Sequence, residues 1–174
     1  MIKNLKNAIA LSIGMIACSA AANAQEQQSA TNTASATIIT PMTITSGGAM
    51  NFGNIISNLT GGTVLLSTDN STTPTGVEKG QVPGTISAAT FDVTGQDGYA
   101  YAVTLPTTYE IVTGTGTRTE TQKMTLTLFT TDASKLLTNG ADSFKVGATL
   151  TVRPGQSAGD YTGTSPFEVS VNYN

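Results

Sequence analysis

The chain has 174 residues, with 8 basic and 11 acidic side chains, no histidine, no tryptophan and 1 cysteine. Without histidine, Ser-His-Asp and Cys-His catalysis are excluded and zinc loses its usual nitrogen donor. A mildly acidic balance with no basic patch makes nucleic acid and anionic membrane surfaces poor partners. The acids are scattered, no carboxylate pair stands out for hydrolysis, and the expectation is a protein that is not an enzyme and carries no cofactor or metal.

Residues 1–24 read as a secretory signal. Lys3 and Lys6 give a positive start, Ala8 to Ala17 an apolar stretch, and Ala22-Asn23-Ala24 a small-x-small cleavage site before Gln25. The apolar run is too short to span a bilayer, so no transmembrane segment is expected in the mature chain. Cys18 lies inside this signal. Met15-Ile16-Ala17-Cys18 loosely resembles a bacterial lipoprotein box, with methionine where leucine is usual; the other reading is a small apolar residue of the signal. Cleavage after Ala24 leaves no cysteine, so the exported domain must be held by its core and strand ladders without disulfides.

All 32 threonines lie after residue 30. Threonine is a mediocre helix former that suits a pleated surface, which argues for an all-β fold. Residues 25–33 are polar and read as a mobile extension, and residues 34–174 as one β-sandwich domain. Ala34, Ala36 and Ile38 alternate and predict a strand that ends or changes partner at Pro41, which has no N–H to give a ladder. Met42 and Ile44 continue the alternation. Short strands are expected at Met50 to Ile55 and Thr63 to Leu66. Ala89, Phe91 and Val93 mark another strand, which the Gly95-Gln96-Asp97-Gly98 turn would join as a hairpin to Tyr99, Tyr101 and Val103. Tyr109 to Val112 reads as a short strand. In the next strand Met124, Leu126 and Leu128 alternate, placing Phe129 on the opposite face. Ala133 to Leu137 suggests one helical turn.

The last thirty residues carry the strongest pattern. Val146, Ala148, Leu150 and Val152 alternate, and Pro154-Gly155 suits a type II turn, proline presetting φ and glycine accepting a positive φ. Phe167, Val169, Val171 and Tyr173 then alternate to the end, predicting a hairpin with the strand before the turn. About eight short strands with turn signals between them fit an immunoglobulin-like antiparallel β-sandwich.

Few residues suggest chemistry. Tyr161, two residues after Gly159, reads either as a tyrosine corner bonded to backbone or as a surface tyrosine. Tyr99, Tyr101 and Tyr109 are candidates for a sugar-binding face, against ordinary packing. Asp92, Asp97 and Asp142 are candidate calcium ligands, against service in turns. Asn58-Leu59-Thr60 and Asn70-Ser71-Thr72 match the glycosylation sequon, a pattern expected by chance in so threonine-rich a chain.

The segments Ala36-Thr-Ile-Ile-Thr-Pro-Met-Thr-Ile44, Met50-Asn-Phe-Gly-Asn54, Val146-Gly-x-x-Leu-Thr-Val152, Gly159-x-Tyr-Thr-Gly-Thr164 and Val169-x-Val-Asn-Tyr-Asn174 resemble a family of exported bacterial domains of unknown function. The ending is also similar to chaperone–usher fimbrial subunits, with a penultimate tyrosine at Tyr173 and an upstream glycine at Gly159, two residues further from the end than that pattern asks. The resemblance implies a structural or adhesive subunit of the periplasm, cell surface or fimbrium. It would self-associate into a polymer, with a periplasmic chaperone as a further partner. Ala34, Ala36 and Ile38 would then be the donor segment, and Phe167, Val169, Val171 and Tyr173 the assembly strand, since a detached segment can add main-chain hydrogen bonds to a neighbour's open edge. The alternative is a self-complete secreted or lipid-anchored β-sandwich that binds a glycan or surface polymer.

Overall fold

Strands begin at Thr43 in the computed structural model, which describes residues 28–174. Residues 1–24, read as a secretory signal, with Cys18 among them, and the first residues of the polar extension lie outside the described residues. Contacts divide the chain into a unit ending at Thr37 and a second unit, Ile38–Asn174. Residues 28–37 are exposed and have no regular secondary structure. The strand expected through Ala34, Ala36 and Ile38 is not formed: Ile38 is 97% exposed, and Ile39 is the residue turned partly inward. Two alanine methyls bury too little apolar area to hold a strand that has no partner.

The second unit holds fourteen strands: β1 (Thr43–Gly48), β2 (Asn51–Phe52), β3 (Ile55–Ile56), β4 (Gly62–Leu66), β5 (Thr72–Thr75), β6 (Glu78–Lys79) and β7 (Ile86–Ser87). There follow β8 (Ala89–Thr94), β9 (Tyr101–Thr104), β10 (Thr108–Val112), β11 (Lys123–Thr131), β12 (Ala141–Val152), β13 (Thr162–Gly163) and β14 (Ser170–Tyr173). Five of them are only two residues long, which is why a count of alternating runs gives fewer. The main antiparallel sheet runs β1-β8-β12-β11-β10-β13, with β4 also on β12 and β5 on β4. Three two-stranded ladders, β14-β9, β2-β7 and β3-β6, supply the facing elements. The fold is all-β, a β-sandwich of antiparallel sheets. The one helical element among the described residues is a 3-10 turn at Glu120–Gln122, and Ala133 to Leu137 forms no helical turn.

The core has two clusters. The first gathers Phe91 and Val93 of β8, Phe144 and Val146 of β12, Tyr101 of β9, Leu137 and Val169. The second gathers Val64 of β4, Met124 and Leu126 of β11, Ala148, Leu150 and Val152 of β12, and Val77. The alternation read for β12 is therefore its buried face. Both clusters sit on that one strand, toward its two ends.

Three pairings differ from the sequence reading. Phe167 to Tyr173 does not return along β12; β14 pairs with β9, Val171 opposite Val103 and Tyr173 opposite Tyr101. Alternation shows which face is buried but not which strand lies alongside. Likewise β8 and β9 form no hairpin: β8 pairs with β1 and β12, and the Gly95 to Gly98 turn carries the chain across to the other layer. In that turn Gly95 N–H bonds Gly140 O and Gly98 N–H bonds Leu137 O. The third difference is at Leu128. The β11–β12 register shifts between Thr127 and Thr130, Leu128 has φ +50°, and its side chain is 72% exposed. One extra residue in a strand reverses the faces beyond it, so Phe129 packs inward against both clusters and onto Phe167.

A substitution pair checks this reversal by urea unfolding. Phe129→Ala should cost about 2 kcal/mol or more by leaving a cavity between the clusters. Leu128→Asn should be neutral or slightly stabilising, because asparagine tolerates positive φ and the leucine side chain is in solvent.

Candidate functional site

A groove of about 1030 Å³ lies over the second cluster and reaches Ala89 and Phe91 of the first. Its floor is the inner face of the main sheet: Tyr109 and Ile111 of β10, Met124 and Leu126 of β11, and Leu150 and Val152 of β12. One wall is the stretch from Ser46 to Ser57, including β2 and β3, and the other runs from Gln156 to Gly163 with Pro166 and Phe167. Both walls contain edge strands. β2 and β3 each have a single partner, and β13 ends the main sheet. Met124, Leu126, Leu150 and Val152 are nonetheless buried, so the groove is narrow above its apolar floor.

A polar pin holds the second wall. Tyr161 Oη lies 2.7 Å from Ser157 O and 2.9 Å from Thr121 O, both acceptors for its single proton, and it takes a hydrogen bond from Gln156 Nε2 at 2.9 Å. Gln156 is 5% exposed. Its Nε2 also lies 2.7 Å from Thr121 O and 3.0 Å from Lys123 O, so two protons are shared among three acceptors, and its Oε1 accepts from Arg153 N–H (3.0 Å). A buried amide with both ends satisfied fixes geometry strongly, because any loss strands a polar group. Tyr161 thus bonds backbone four residues upstream, as a tyrosine corner does. Gln156 follows the Pro154-Gly155 turn, where Gly155 has φ +64° and Gln156 N–H returns to Arg153 O. Nothing in the sequence marked this glutamine, since a polar residue after Pro-Gly reads as a solvated turn.

Gly159 lines the same wall at φ +150°, with Thr113 Oγ1 packed where a Cβ would stand. Among the four expected assembly residues only Phe167 lines the groove; Val169, Val171 and Tyr173 belong to the first cluster. Tyr173 instead ties down the start of the domain. Its hydroxyl donates to Thr40 O at 2.7 Å and accepts from Gln96 N–H at 2.6 Å, while Tyr99 stands edge-on to its ring at 5.7 Å.

Residues 42–173 match the family model described as Domain of unknown function (DUF4402). The chain belongs to the DUF4402 family. No curated protein and no solved structure gives a significant match.

In this DUF4402 domain the other candidate residues are spent on structure. Asp97 Oδ1 accepts from Gly140 N–H at 3.2 Å, and Asp92 and Asp142 sit on neighbouring strands. No three potential metal-ligating side chains converge among the described residues. Asn58 caps the turn at Thr60 and Gly61 and donates to Gly76 O, and Asn70 accepts from Ala88 N–H. The three tyrosines do not share a face. Tyr101 is buried, Tyr109 lines the groove with its hydroxyl bonded to Ser165 O, and Tyr99 packs on Tyr173. No helix among the described residues is long and apolar enough to cross a membrane.

Asp142 accepts three hydrogen bonds at Oδ2, from Tyr101 Oη (2.5 Å), Ser134 Oγ (2.8 Å) and Ser134 N–H (3.2 Å). Burial works to raise its pKa, but the hydrogen bonds from Tyr101, Ser134 and the Ser143 N–H outweigh it and hold the carboxyl below its ordinary value. Burial raises the Tyr101 phenol, and the Asp142 hydrogen bond and charge push it further the same way. Asp142→Asn should cost on the order of 1 kcal/mol near neutrality. A carboxyl with a lowered folded pKa contributes fully above its unfolded value, about 3.9, and loses that contribution as pH falls through the folded one. The wild-type advantage in urea unfolding should therefore shrink at acid pH. For Tyr101 the sign is opposite: its contribution is complete below about pH 10 and is lost as pH rises. Tyr101→Phe should flatten the alkaline decline.

Proposed function

We propose that this DUF4402 domain is an exported structural subunit of fimbrial type that assembles by strand addition. The observation that carries the reading is the groove: an apolar floor between two walls that each contain an edge strand. An extended segment laid there would find main-chain partners on the walls and apolar contact below. The amino-terminal segment suits it as donor. Residues 28–37 form no regular structure of their own, and Ala34 and Ala36 present single methyls, the size a narrow slot accepts. Ile38, almost wholly in solvent, would gain a buried site. Phe167 is the acceptor residue that touches the groove. A periplasmic chaperone filling the same slot before assembly fits the same geometry. Contacts of this heterologous kind do not close on themselves and so build fibres.

A second reading is favoured by the burial of the groove floor, which leaves a core complete without any donor. On it the domain is a self-complete secreted or lipid-anchored module, and the groove, with Tyr109, Tyr161, Asn51 and Asn54 in its lining, holds a glycan or surface polymer.

The mature chain starting at Gln25, run unheated and boiled in detergent, separates the two. Strand addition predicts a ladder that collapses on boiling, and removal of residues 25–37 should abolish the ladder while leaving a folded monomer. An unaltered ladder from the deletion would overturn the assignment of the donor. A single monomer band from the full mature chain, with glycan retention, would favour the second reading.

A further inference from the structure

Asn139-Gly140 is the single Asn-Gly pair in the chain. Such a pair carries a chemistry of its own. The glycine nitrogen, once deprotonated, attacks the asparagine Cγ. The new N–C bond closes a succinimide ring, and the side-chain nitrogen leaves as ammonia, the proton from the glycine nitrogen making up its third hydrogen. Water then opens the ring at either carbonyl, giving aspartate or isoaspartate, and neither an oxidant nor an enzyme is needed. Glycine favours the attack because it has no side chain to crowd the nitrogen.

The fold leaves this pair in reach of solvent and then closes it. Asn139 is exposed, so water and hydroxide have access. It stands in a two-residue hairpin loop: Thr138 N–H bonds Ala141 O at 3.1 Å, and Ala141 N–H bonds Thr138 O at 3.3 Å. φ is +56° at Asn139 and +76° at Gly140, the pattern of a type I′ turn. The attacking nitrogen is already engaged. Gly140 N–H donates to Asp97 Oδ1 at 3.2 Å, and Gly140 O accepts from Gly95 N–H at 2.9 Å. Asp97 and Gly95 belong to the crossover turn, which Gly98 N–H holds to the same hairpin through Leu137 O at 2.8 Å.

These contacts oppose the reaction in two ways. A carboxylate is too weak a base to take an amide proton, and its charge disfavours an amide anion beside it. Closing a ring through Cγ also needs an Asn139 ψ far from that of a type I′ turn. The turn must therefore open first, giving up the Asp97 bond and disturbing the Thr138–Ala141 pair. What flanks the turn shows what is at stake. Leu137, fully buried, precedes it, and Asp142, the acceptor for Tyr101 and Ser134, follows it. Isoaspartate adds one methylene to the main chain and would shift these two anchors against each other.

We propose that Asn139 is a deamidation site that the folded domain keeps shut, with Asp97 as its guard, so that unfolding exposes the bond and marks the chain irreversibly. The site is closed within one copy and owes nothing to how copies assemble.

The test uses the mature chain, Asp97→Ala, and Asp97→Asn, which keeps a side-chain oxygen for Gly140 N–H. Each is incubated folded at mildly alkaline pH, and the wild type also in urea that unfolds it. Peptide mass spectrometry scores replacement of the amide by a carboxyl at residue 139, and labelling by an isoaspartate methyltransferase identifies the isomer. The folded wild type should be modified at least about tenfold more slowly than the unfolded chain. Folded Asp97→Ala should react about threefold faster than the folded wild type or more, and Asp97→Asn more slowly than Asp97→Ala. Urea unfolding of each variant gives its globally unfolded fraction. A folded wild type modified as fast as the unfolded chain would overturn the closed site. Asp97→Ala modified at the wild-type rate, or only as fast as its unfolded fraction accounts for, would remove Asp97 as the guard.

Discussion

Two strands share one edge of β12, and the rest of the sandwich depends on how that is done. Along its first half β12 pairs with β8, from Ala141 to Val146, and along its second half with β4, from Ala148 to Val152. The residue between the two ladders is Gly147, where a Cβ would stand 2.2 Å from Leu66 O. Only glycine lets the end of β4 come in that close while β12 runs on unbroken. With β11 along its other edge, a single twelve-residue strand thus organises two neighbouring partners and both core clusters.

That division gives the two ends of the domain different characters. Over the Ala141 half, β9 and β14 lie across the sheet, and Tyr101, Phe144 and Phe91 close the core with an aromatic stack and a half-buried phenol–carboxylate bond. Over the Leu150 half, the facing elements are two-residue ladders and a wall pinned by one glutamine and one tyrosine. Short ladders supply few main-chain bonds and leave edges unpaired. The groove follows from that shortage of facing strand: most of its floor belongs to the second cluster, and it extends to Ala89 and Phe91 of the first.

What was legible in the sequence was the face of each strand. The runs through Val146 to Val152 and Ala89 to Val93 were read correctly because a buried face repeats every second residue. What was not legible was adjacency. Val169 and Val171 alternate equally well whether the neighbour is β12 or β9, and the Gly95 to Gly98 turn looks alike whether it closes a hairpin or crosses between layers. Leu128 and Phe129 were exchanged because a bulge depends on the partner's register, which one strand's own pattern does not contain. The groove was invisible for the same reason: its lining comes from segments more than a hundred residues apart. Tyr161 left a trace as a tyrosine after glycine, whereas Gln156 left none.

The threonines show how composition and architecture meet. Across the outer face of the main sheet Thr75, Thr63, Thr151 and Thr125 stand opposite one another on successive strands, and Thr149 pairs with Thr127 and Leu65 in the next row. Each is β-branched and so favours the strand, while its hydroxyl keeps the face wetted without charge. Charge enters the first row only at its β10 end, where Glu110 stands opposite Thr125. A threonine-rich, β-branched outer face therefore supports the sheet directly, and it frees the main sheet from needing a covering layer on that side. The inner face alone must be covered, by β9 and β14 at one end and by two-residue ladders at the other.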